Sequence, residues 1–142
     1  IGGCQPDHDR AVMLAYQGPD EPQRFVRVVD FPGGVTKFCI RRDPETGRYA
    51  ALVNRITRKD APAARNVLSL SSSEDLIHWQ VHADLIDYRD ADPAQVGFQY
   101  VDFFFEGDDL VYLCRTALNG AHNYHDANYS TFHRLPHFRD LL

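Results

Sequence analysis

Short apolar segments separated by turn-forming residues restrict this chain to strand-based folds. No window of useful length places apolar residues at i, i+3, i+4 and i+7 between helix-capping residues. Residues 24–30 alternate between the two faces that a β-strand presents, and residues 43–47, Asp-Pro-Glu-Thr-Gly, have the composition of a hairpin loop. The sequence therefore predicts an all-β fold built from antiparallel hairpins.

Nine segments combine apolar or β-branched residues with flanking Gly, Pro, Asn or Asp. We predict strands over residues 11–16, 24–30, 36–42, 48–55, 66–71, 79–85, 99–105, 110–116 and 128–134. The run at 101–105 is apolar on both faces apart from Asp102, as a strand must be if layers pack above and below it. The sheets are therefore expected to stack face to face.

Composition narrows the classes of function. With 44% hydrophobic and 12% aromatic residues, the 142-residue chain can form the core of one globular domain over residues 1–142. Its net charge of −5 argues against a nucleic-acid partner, and no apolar run is long enough to cross a membrane. The three cysteines, at unrelated spacings, favour neither a disulfide framework nor a zinc site, and we expect Cys39 and Cys114 to be small buried residues.

A weak internal repeat suggests a propeller. At an offset of 62 residues, 66–70 aligns with 128–132, 49–55 with 111–117, and 36–38 with 98–100. Repeats with two hairpins per unit are typical of propeller blades. We divide the chain into the end of one blade at 1–35, a complete blade at 36–95 and a last, incomplete blade at 96–142. A closed propeller needs roughly four to eight blades. The open sheet edges are thus expected to be covered by missing N-terminal blades or by a homo-oligomer.

Residues 73–79, Ser-Glu-Asp-Leu-Ile-His-Trp, form a second motif. Ser73 and Asp75 can accept hydrogen bonds from turn amides, and Trp79 can anchor the hairpin between two blades. The segment resembles a degenerate Asp-box of the bacterial neuraminidase repeat, with Leu76 or Ile77 where the usual glycine would fall. We expect it to stabilise the turn.

Further blocks at residues 31–38, 97–103, 114–117, 121–128 and 131–134 extend that likeness in sequence order. From about Val28 onward the chain resembles the C-terminal third of bacterial sialidase-like proteins of the exo-α-sialidase, or neuraminidase-repeat, type. This resemblance implies about two blades of a six-bladed β-propeller, incomplete here. It also implies exo-glycosidase activity toward a terminal sugar, an acidic sugar among the candidates, only as part of a longer chain. No cofactor is expected.

In a propeller the innermost strands line the central channel, so polar residues at their starts are candidates for a site. Tyr100 is a candidate nucleophile because sialidases use tyrosine for this step. Its proton would need a nearby base, and Asp102 and Asp126 are the candidates. A packing role for Tyr100 as a channel-lining aromatic is the alternative.

Candidate binding residues follow from charge and position. Guanidinium groups suit a sugar carboxylate, which favours Arg65 and Arg115. Lys37 and Gln99 lie at the starts of inner strands, and His122 and His125 lie in a polar loop suited to hydroxyl recognition. That loop could also hold a divalent metal, but a His-x-x-His pair outside a helix favours no metal site.

Two other functions remain open at this point. The chain could be a non-catalytic carbohydrate-binding or purely structural part of a propeller. It could instead be a small autonomous β protein that covers its open edges by oligomerising.

Overall fold

The computed structural model describes residues 8–142 and is all-β. Its strands are β1 (Arg10–Ala15), β2 (Arg24–Asp30), β3 (Cys39–Arg42), β4 (Tyr49–Val53), β5 (Val67–Ser73), β6 (Gln80–Asp87), β7 (Gly97–Glu106), β8 (Asp109–Ala117) and β9 (Tyr129–Leu135). A 3₁₀ helix, η1 (Phe138–Leu141), follows them. Each predicted strand is present, with its ends within three residues of the predicted bounds. No helix in this described part has the length and apolarity needed to cross a membrane.

The strands form three antiparallel sheets in which neighbours in sequence are neighbours in space. The first sheet contains β1 and β2, the second contains β3 to β6 in order, and the third contains β7 to β9 in order. Short hairpin loops join β3 to β4 and β7 to β8, whereas longer connections at 54–66 and 118–128 join β4 to β5 and β8 to β9. The predicted hairpins at 43–47 and 106–109 are confirmed by the β3–β4 and β7–β8 pairs.

The second sheet lies between the other two and is covered on both faces. On β4, Ala50 and Leu52 belong to the main core, whereas Ala51 and Val53 belong to a smaller core around Phe31. Consecutive strand residues point to opposite faces, so the two cores lie on opposite sides of the second sheet. The main core joins it to the third sheet, and the smaller one joins it to the first sheet. The second sheet is thus stacked on both faces, but β7, for which layers above and below were predicted, is covered on one face only within residues 8–142: Phe103 is buried and Phe104 is 53% exposed.

The second and third sheets share the predicted repeat. The first and last residues of β9 are 62 positions after those of β5. The same offset places β4 at residues 111–115, which lie within β8. Each pair occupies the same place in its own sheet, because β4–β5 and β8–β9 are both antiparallel neighbours. The weak sequence repeat therefore reflects two sheets built on one plan.

The loop at 73–79 stabilises a turn, as predicted. One carboxylate oxygen of Asp75 accepts hydrogen bonds from the amides of Ile77 and His78, each at 2.8 Å. The Trp79 indole donates to the Leu76 carbonyl at 3.1 Å, and its ring meets Phe31 edge-on at 4.9 Å in the smaller core. Leu76 has a φ of 66°, the left-handed conformation that a glycine would adopt without strain.

Candidate functional site

Tyr100 projects from an irregular stretch at the start of β7. The pairing of β7 with β8 is interrupted between Gln99 and Asp102, which marks a β-bulge. Within the bulge Tyr100 has a φ of 51°, a left-handed conformation that costs a non-glycine residue about 1 kcal/mol or more. Tyr100 is 38% exposed. Bulges with this strain are frequent at functional sites because they re-aim a side chain.

Two guanidinium groups lie against the Tyr100 ring. The Cζ atom of Arg115 is 5.2 Å from the ring centre, and that of Arg65 is 5.5 Å from it. Arg115 belongs to β8, whereas Arg65 lies in the connection between β4 and β5. The Arg65 backbone is fixed beside Gly97 by a parallel bridge and by a 2.7 Å hydrogen bond from the Phe98 amide to its carbonyl. This bridge brings Arg65 to the start of β7.

Gln99 is the buried centre of the cluster. Its side chain is almost wholly buried, and its amide nitrogen donates to the carbonyls of Tyr124 at 2.8 Å and His125 at 3.0 Å. Its side-chain oxygen accepts a hydrogen bond from Arg65. Gln99 therefore links Arg65, in the connection between β4 and β5, to the loop between β8 and β9. That loop approaches β7 closely, because a Cβ on Gly97 would lie 2.9 Å from the Tyr124 carbonyl oxygen.

His125 completes the group around Tyr100. Its Nε2 atom lies 3.2 Å from the Tyr100 hydroxyl oxygen, and the two rings meet edge-on with their centres 5.9 Å apart. The His125 carbonyl accepts a further hydrogen bond from Arg115 at 3.3 Å. The structure thus brings together five of the predicted site residues, which are Arg65, Gln99, Tyr100, Arg115 and His125.

The carboxylates predicted to act with Tyr100 are engaged elsewhere. Asp102 accepts hydrogen bonds from Arg41 at 2.9 Å and from the Cys39 thiol at 3.2 Å. The Arg41 donor, followed by the Cys39 donor, lowers the pKa of Asp102 below its ordinary value. Burial, followed by the hydrogen bond to Asp102, raises the pKa of Cys39. Cys114 is fully buried, as predicted. The same prediction is wrong for Cys39, which is partly exposed.

Asp126 forms a separate exposed pair with His122. The Asp126 carboxylate lies 2.9 Å from Nδ1 of His122 and accepts a 2.8 Å hydrogen bond from Asn123. These contacts, the His122 one first, lower the pKa of Asp126. Lys37 is exposed two residues before β3 and makes no hydrogen bond to the Tyr100 group within residues 8–142. Across the same residues, no group of three or more His, Cys, Asp or Glu side chains could hold a metal ion.

Several residues that position the site gave no signal in the sequence. Arg41, on β3, pairs with Asp102 although its side chain is 46% exposed. The Arg65 guanidinium also lies 5.6 Å from the Tyr124 ring, so this arginine contacts two aromatic rings. Asn54, which is 2% exposed, donates to the carbonyls of Val67 and Phe98, both at 2.9 Å. Asn54 thereby ties β5 of the second sheet to the start of β7. In the sequence it looks like any loop asparagine, because it directly follows a strand.

The fold and site define an all-β protein of stacked antiparallel sheets, with an arginine and tyrosine cluster where the second and third sheets meet. Comparison with protein-family models, with curated proteins and with solved structures finds no match to this chain.

Proposed function

We propose that the three sheets are successive blades of a sialidase-like, six-bladed propeller that this chain fills in part. The proposal is supported by the stacking of the sheets in chain order and by the 62-residue offset between the second and third. The turn at Asp75 and Trp79, which joins β5 to β6, has the hydrogen bonding expected of an Asp-box. In this arrangement β3 and β7 are the innermost strands, and Tyr100 faces the central channel.

The cluster around Tyr100 binds the carboxylate of a terminal acidic sugar. The observation that carries this proposal is the convergence of Arg65 and Arg115 on one aromatic ring. Both guanidinium groups bring positive charge to one partly exposed ring, and an anion bound beside it would offset that charge. Within the described residues neither arginine forms a salt bridge with a carboxylate, and the buried Nε of Arg65 has no hydrogen-bond partner. An external carboxylate can accept charge-assisted hydrogen bonds from the Arg115 guanidinium, which is exposed.

The remaining predicted residues have supporting roles in this proposal. Gln99 holds Arg65 in place, while His122, His125 and the exposed Lys37 contact sugar hydroxyl groups or the anion. Tyr100 offers a stacking surface or a nucleophile. Asp102 and Asp126 do not supply the acid that protonates a leaving oxygen, because Arg41 and His122 lower their pKa values, so that in a longer polypeptide another residue supplies it. Binding of the sugar by this chain requires only the contacts to its carboxylate and hydroxyl groups.

A binding measurement with matched ligands tests the proposal. The probes are the methyl α-glycoside of N-acetylneuraminic acid and the methyl ester of the same glycoside, which lacks the negative charge. We expect calorimetric titration to show binding of the acid and weaker binding of the ester. Replacing Arg115 by Gln should weaken binding of the acid by about tenfold or more, since a hydrogen bond to a charged group contributes about 1.5–3 kcal/mol.

The matched control is Arg27→Gln, because Arg27 is an exposed arginine on β2, away from Tyr100. Arg27→Gln should leave the affinity unchanged while altering the net charge by the same amount as Arg115→Gln. Equal binding of the acid and the ester, or equal losses in the two variants, would contradict a specific carboxylate site.

The outer faces of the first and third sheets support the proposed partners. On the first sheet Val12 and Val28 are opposite each other and more than half exposed. On the third sheet Leu113 and Phe132 are opposite each other and are 46% and 63% exposed. Sheet faces of this kind are normally covered, because exposed contiguous apolar surface favours association. Further blades of the propeller, or a second copy of the chain, cover them.

A further inference from the structure

The third sheet leaves the outer edge of β9 open within residues 8–142. In the second sheet β5 lies between β4 and β6, whereas β9, the strand 62 positions later, has a neighbour on one side only. Burial follows this difference, since all seven residues of β5 are buried and none of the seven residues of β9 is. Every second residue of an antiparallel strand directs its N–H and C=O groups to the same side. The open side of β9 therefore offers a row of donors and acceptors to a further strand.

Natural proteins block exposed strand edges with lysine, proline or bulges. The strand β9 has none of the three, and its pairing with β8 runs over seven residue pairs without a register shift. Its one arginine, Arg134, is drawn to the β7–β8 turn by ion pairs with Asp109 at 2.6 Å and with Glu106. In contrast, the pairing of β1 with β2 shifts register between Met13 and Leu14. The edge of β9 is thus regular and unprotected.

Phe132 is the most exposed apolar side chain of the third sheet, at 63%. Leu70, which is 62 positions earlier in β5, is fully buried. On the same face as Phe132, Leu113 of β8 is opposite it and is 46% exposed. A large apolar ring at the middle of an edge strand is normally covered by a partner. Phe132 is therefore the expected centre of a contact along this edge.

We propose that β9 pairs antiparallel with β9 of a second copy of the chain, about a two-fold axis at Phe132. An axis perpendicular to the sheet places one residue opposite itself and keeps the same faces together. With Phe132 on the axis, all seven residues of each strand are opposed. The opposed residues are Phe132 and Phe132, Thr131 and His133, Ser130 and Arg134, and Tyr129 and Leu135. The three strands of each copy then form one continuous sheet, in the order β7-β8-β9-β9-β8-β7.

The opposed side chains are compatible in this register. Phe132 meets its own copy, and aromatic cross-strand pairs stabilise a sheet. Tyr129 of the second copy covers Leu135, which borders the main core. His133 lies opposite Thr131, and within one chain its Nε2 atom is already 2.8 Å from the Thr131 hydroxyl oxygen. Burial lowers the pKa of His133, so its imidazole is neutral at neutral pH and no like charges are opposed.

A second open edge, that of β2, lacks this complementarity. β2 is also seven residues long and lies in the two-stranded first sheet. Full overlap of β2 with its copy would place Arg27 opposite Arg27, and like charges directly opposite each other are destabilising. The charges thus favour β9 over β2 as the site of pairing.

Pairing through β9 leaves the Tyr100 cluster accessible. Tyr100 belongs to β7, which is two strands away from the open edge. Of the partners in the proposed function, this contact selects the second copy of the chain, and it does not require the carboxylate site. Titration with the glycoside tests that site whether or not the copies pair, so a loss of pairing and a loss of carboxylate binding are distinguishable.

Sedimentation velocity of the 142-residue chain tests the pairing. The wild-type mass should rise with concentration from that of the monomer toward twice that value. Phe132→Asp places two like charges opposite each other in place of an aromatic pair, and it should raise the dissociation constant about tenfold or more. The matched control is Phe104→Asp, which adds the same charge on β7, where the side chain is 53% exposed and two strands from the edge. This control should leave the dissociation constant within about twofold, because charges that far apart are screened.

Cysteine cross-linking tests the register. Phe132→Cys places two thiols directly opposite each other, and oxidation with copper phenanthroline should join the copies by a disulfide. The control is Ser130→Cys, on the same strand and face, whose two copies would be about 14 Å apart and too far for a disulfide. An equimolar mixture of Ser130→Cys and Arg134→Cys should cross-link, because these positions are opposed. In every variant Cys4 and Cys39 are replaced by Ser, and Cys114 is fully buried.

These measurements give a clear decision. A dimer that is weakened by Phe132→Asp alone, and cross-links at 132 but not at 130, supports the pairing. A chain that stays monomeric at every concentration overturns it, as does a dimer that Phe132→Asp and Phe104→Asp weaken equally. Equal cross-linking of Phe132→Cys and Ser130→Cys would also overturn it. Thermal unfolding shows whether each variant is folded, and the cross-links decide if Phe132→Asp is not.

Discussion

Arg139 donates two hydrogen bonds to the buried carboxylate of Asp43, from Nε at 2.9 Å and from Nη2 at 2.7 Å. Asp43 lies in the β3–β4 loop and Arg139 in η1, so the contact joins residues 96 positions apart. The Asp43 side chain is fully buried, and the Arg139 side chain is 15% exposed. Next to the pair, Phe138 is fully buried and stacks on Phe105 at 5.2 Å. The pair therefore fixes the end of the chain to the second and third sheets.

Arg139→Ala should destabilise the protein by about 3 kcal/mol, because it leaves the Asp43 carboxylate buried without its cation. Denaturant unfolding followed by tryptophan fluorescence measures the loss. The matched control is Arg58→Ala, which removes an exposed partner of Asp60 and should change the unfolding free energy by about 0.5 kcal/mol at most. Similar effects of the two substitutions would show that η1 is not held by its ion pair.

The ion pair of Asp84 should make the folded protein less stable in acid. Arg55 donates two 2.6 Å hydrogen bonds to it and, as the main cause, lowers the pKa of Asp84 to about 2. Since the pKa of Asp84 is lower in the folded state than in the unfolded state, ionised Asp84 stabilises the fold above about pH 4. This stabilisation is lost as the pH falls toward 2. We expect it to reach about 2 kcal/mol, as judged by the pH dependence of the unfolding free energy.

Asp84→Asn should flatten this part of the pH profile. Asp20 is exposed in the loop between β1 and β2, so Asp20→Asn is the comparison and should leave the slope below pH 4 as in the wild type. An unchanged slope in Asp84→Asn would mean that other carboxylates, such as Asp43 or Asp75, account for the acid sensitivity.

Gly34→Ala tests the joint between the first and second sheets. A Cβ at Gly34 would lie 2.2 Å from the Arg10 carbonyl oxygen, so β1 or the loop after β2 must move. Such overpacking costs about 1–3 kcal/mol. At Gly18 a Cβ would meet no heavy atom within 4 Å, so Gly18→Ala should be neutral within about 0.5 kcal/mol. Thermal unfolding compares the two variants. Equal midpoints would contradict the close contact between Gly34 and the Arg10 carbonyl.

The strands were predictable because their signals are local. Apolar alternation and turn residues such as Pro44 and Gly47 act within a few positions, and they placed all nine strands. The Asp75 turn was likewise predicted, since its hydrogen bonds are confined to residues 73–79. The run at 101–105 is apolar on both faces, but Phe104 is 53% exposed, so the packing on both faces that this run predicted is not seen within the described residues.

The contacts that build the site are long-range, and this explains what the sequence did not reveal. Arg41 and Asp102 are 61 positions apart, and Asn54 reaches Phe98 across 44. A periodic pattern carries no information about such pairs. The Tyr100 bulge is also invisible in the sequence, because a tyrosine in a strand gives no sign that its φ is positive.

Self-association tests what covers the outer sheet faces. Phe132 and Leu113 on the third sheet and Val12 and Leu14 on the first are all at least 46% exposed. If a second copy covers these faces, sedimentation velocity should show a mass that rises above that of the monomer with concentration. Phe132→Thr combined with Leu14→Thr should lower that mass without lowering the thermal midpoint, because both side chains are exposed and threonine suits a strand. A monomer at every concentration would instead favour further propeller blades as the partner. An association that survives both substitutions would place the contact on a different surface.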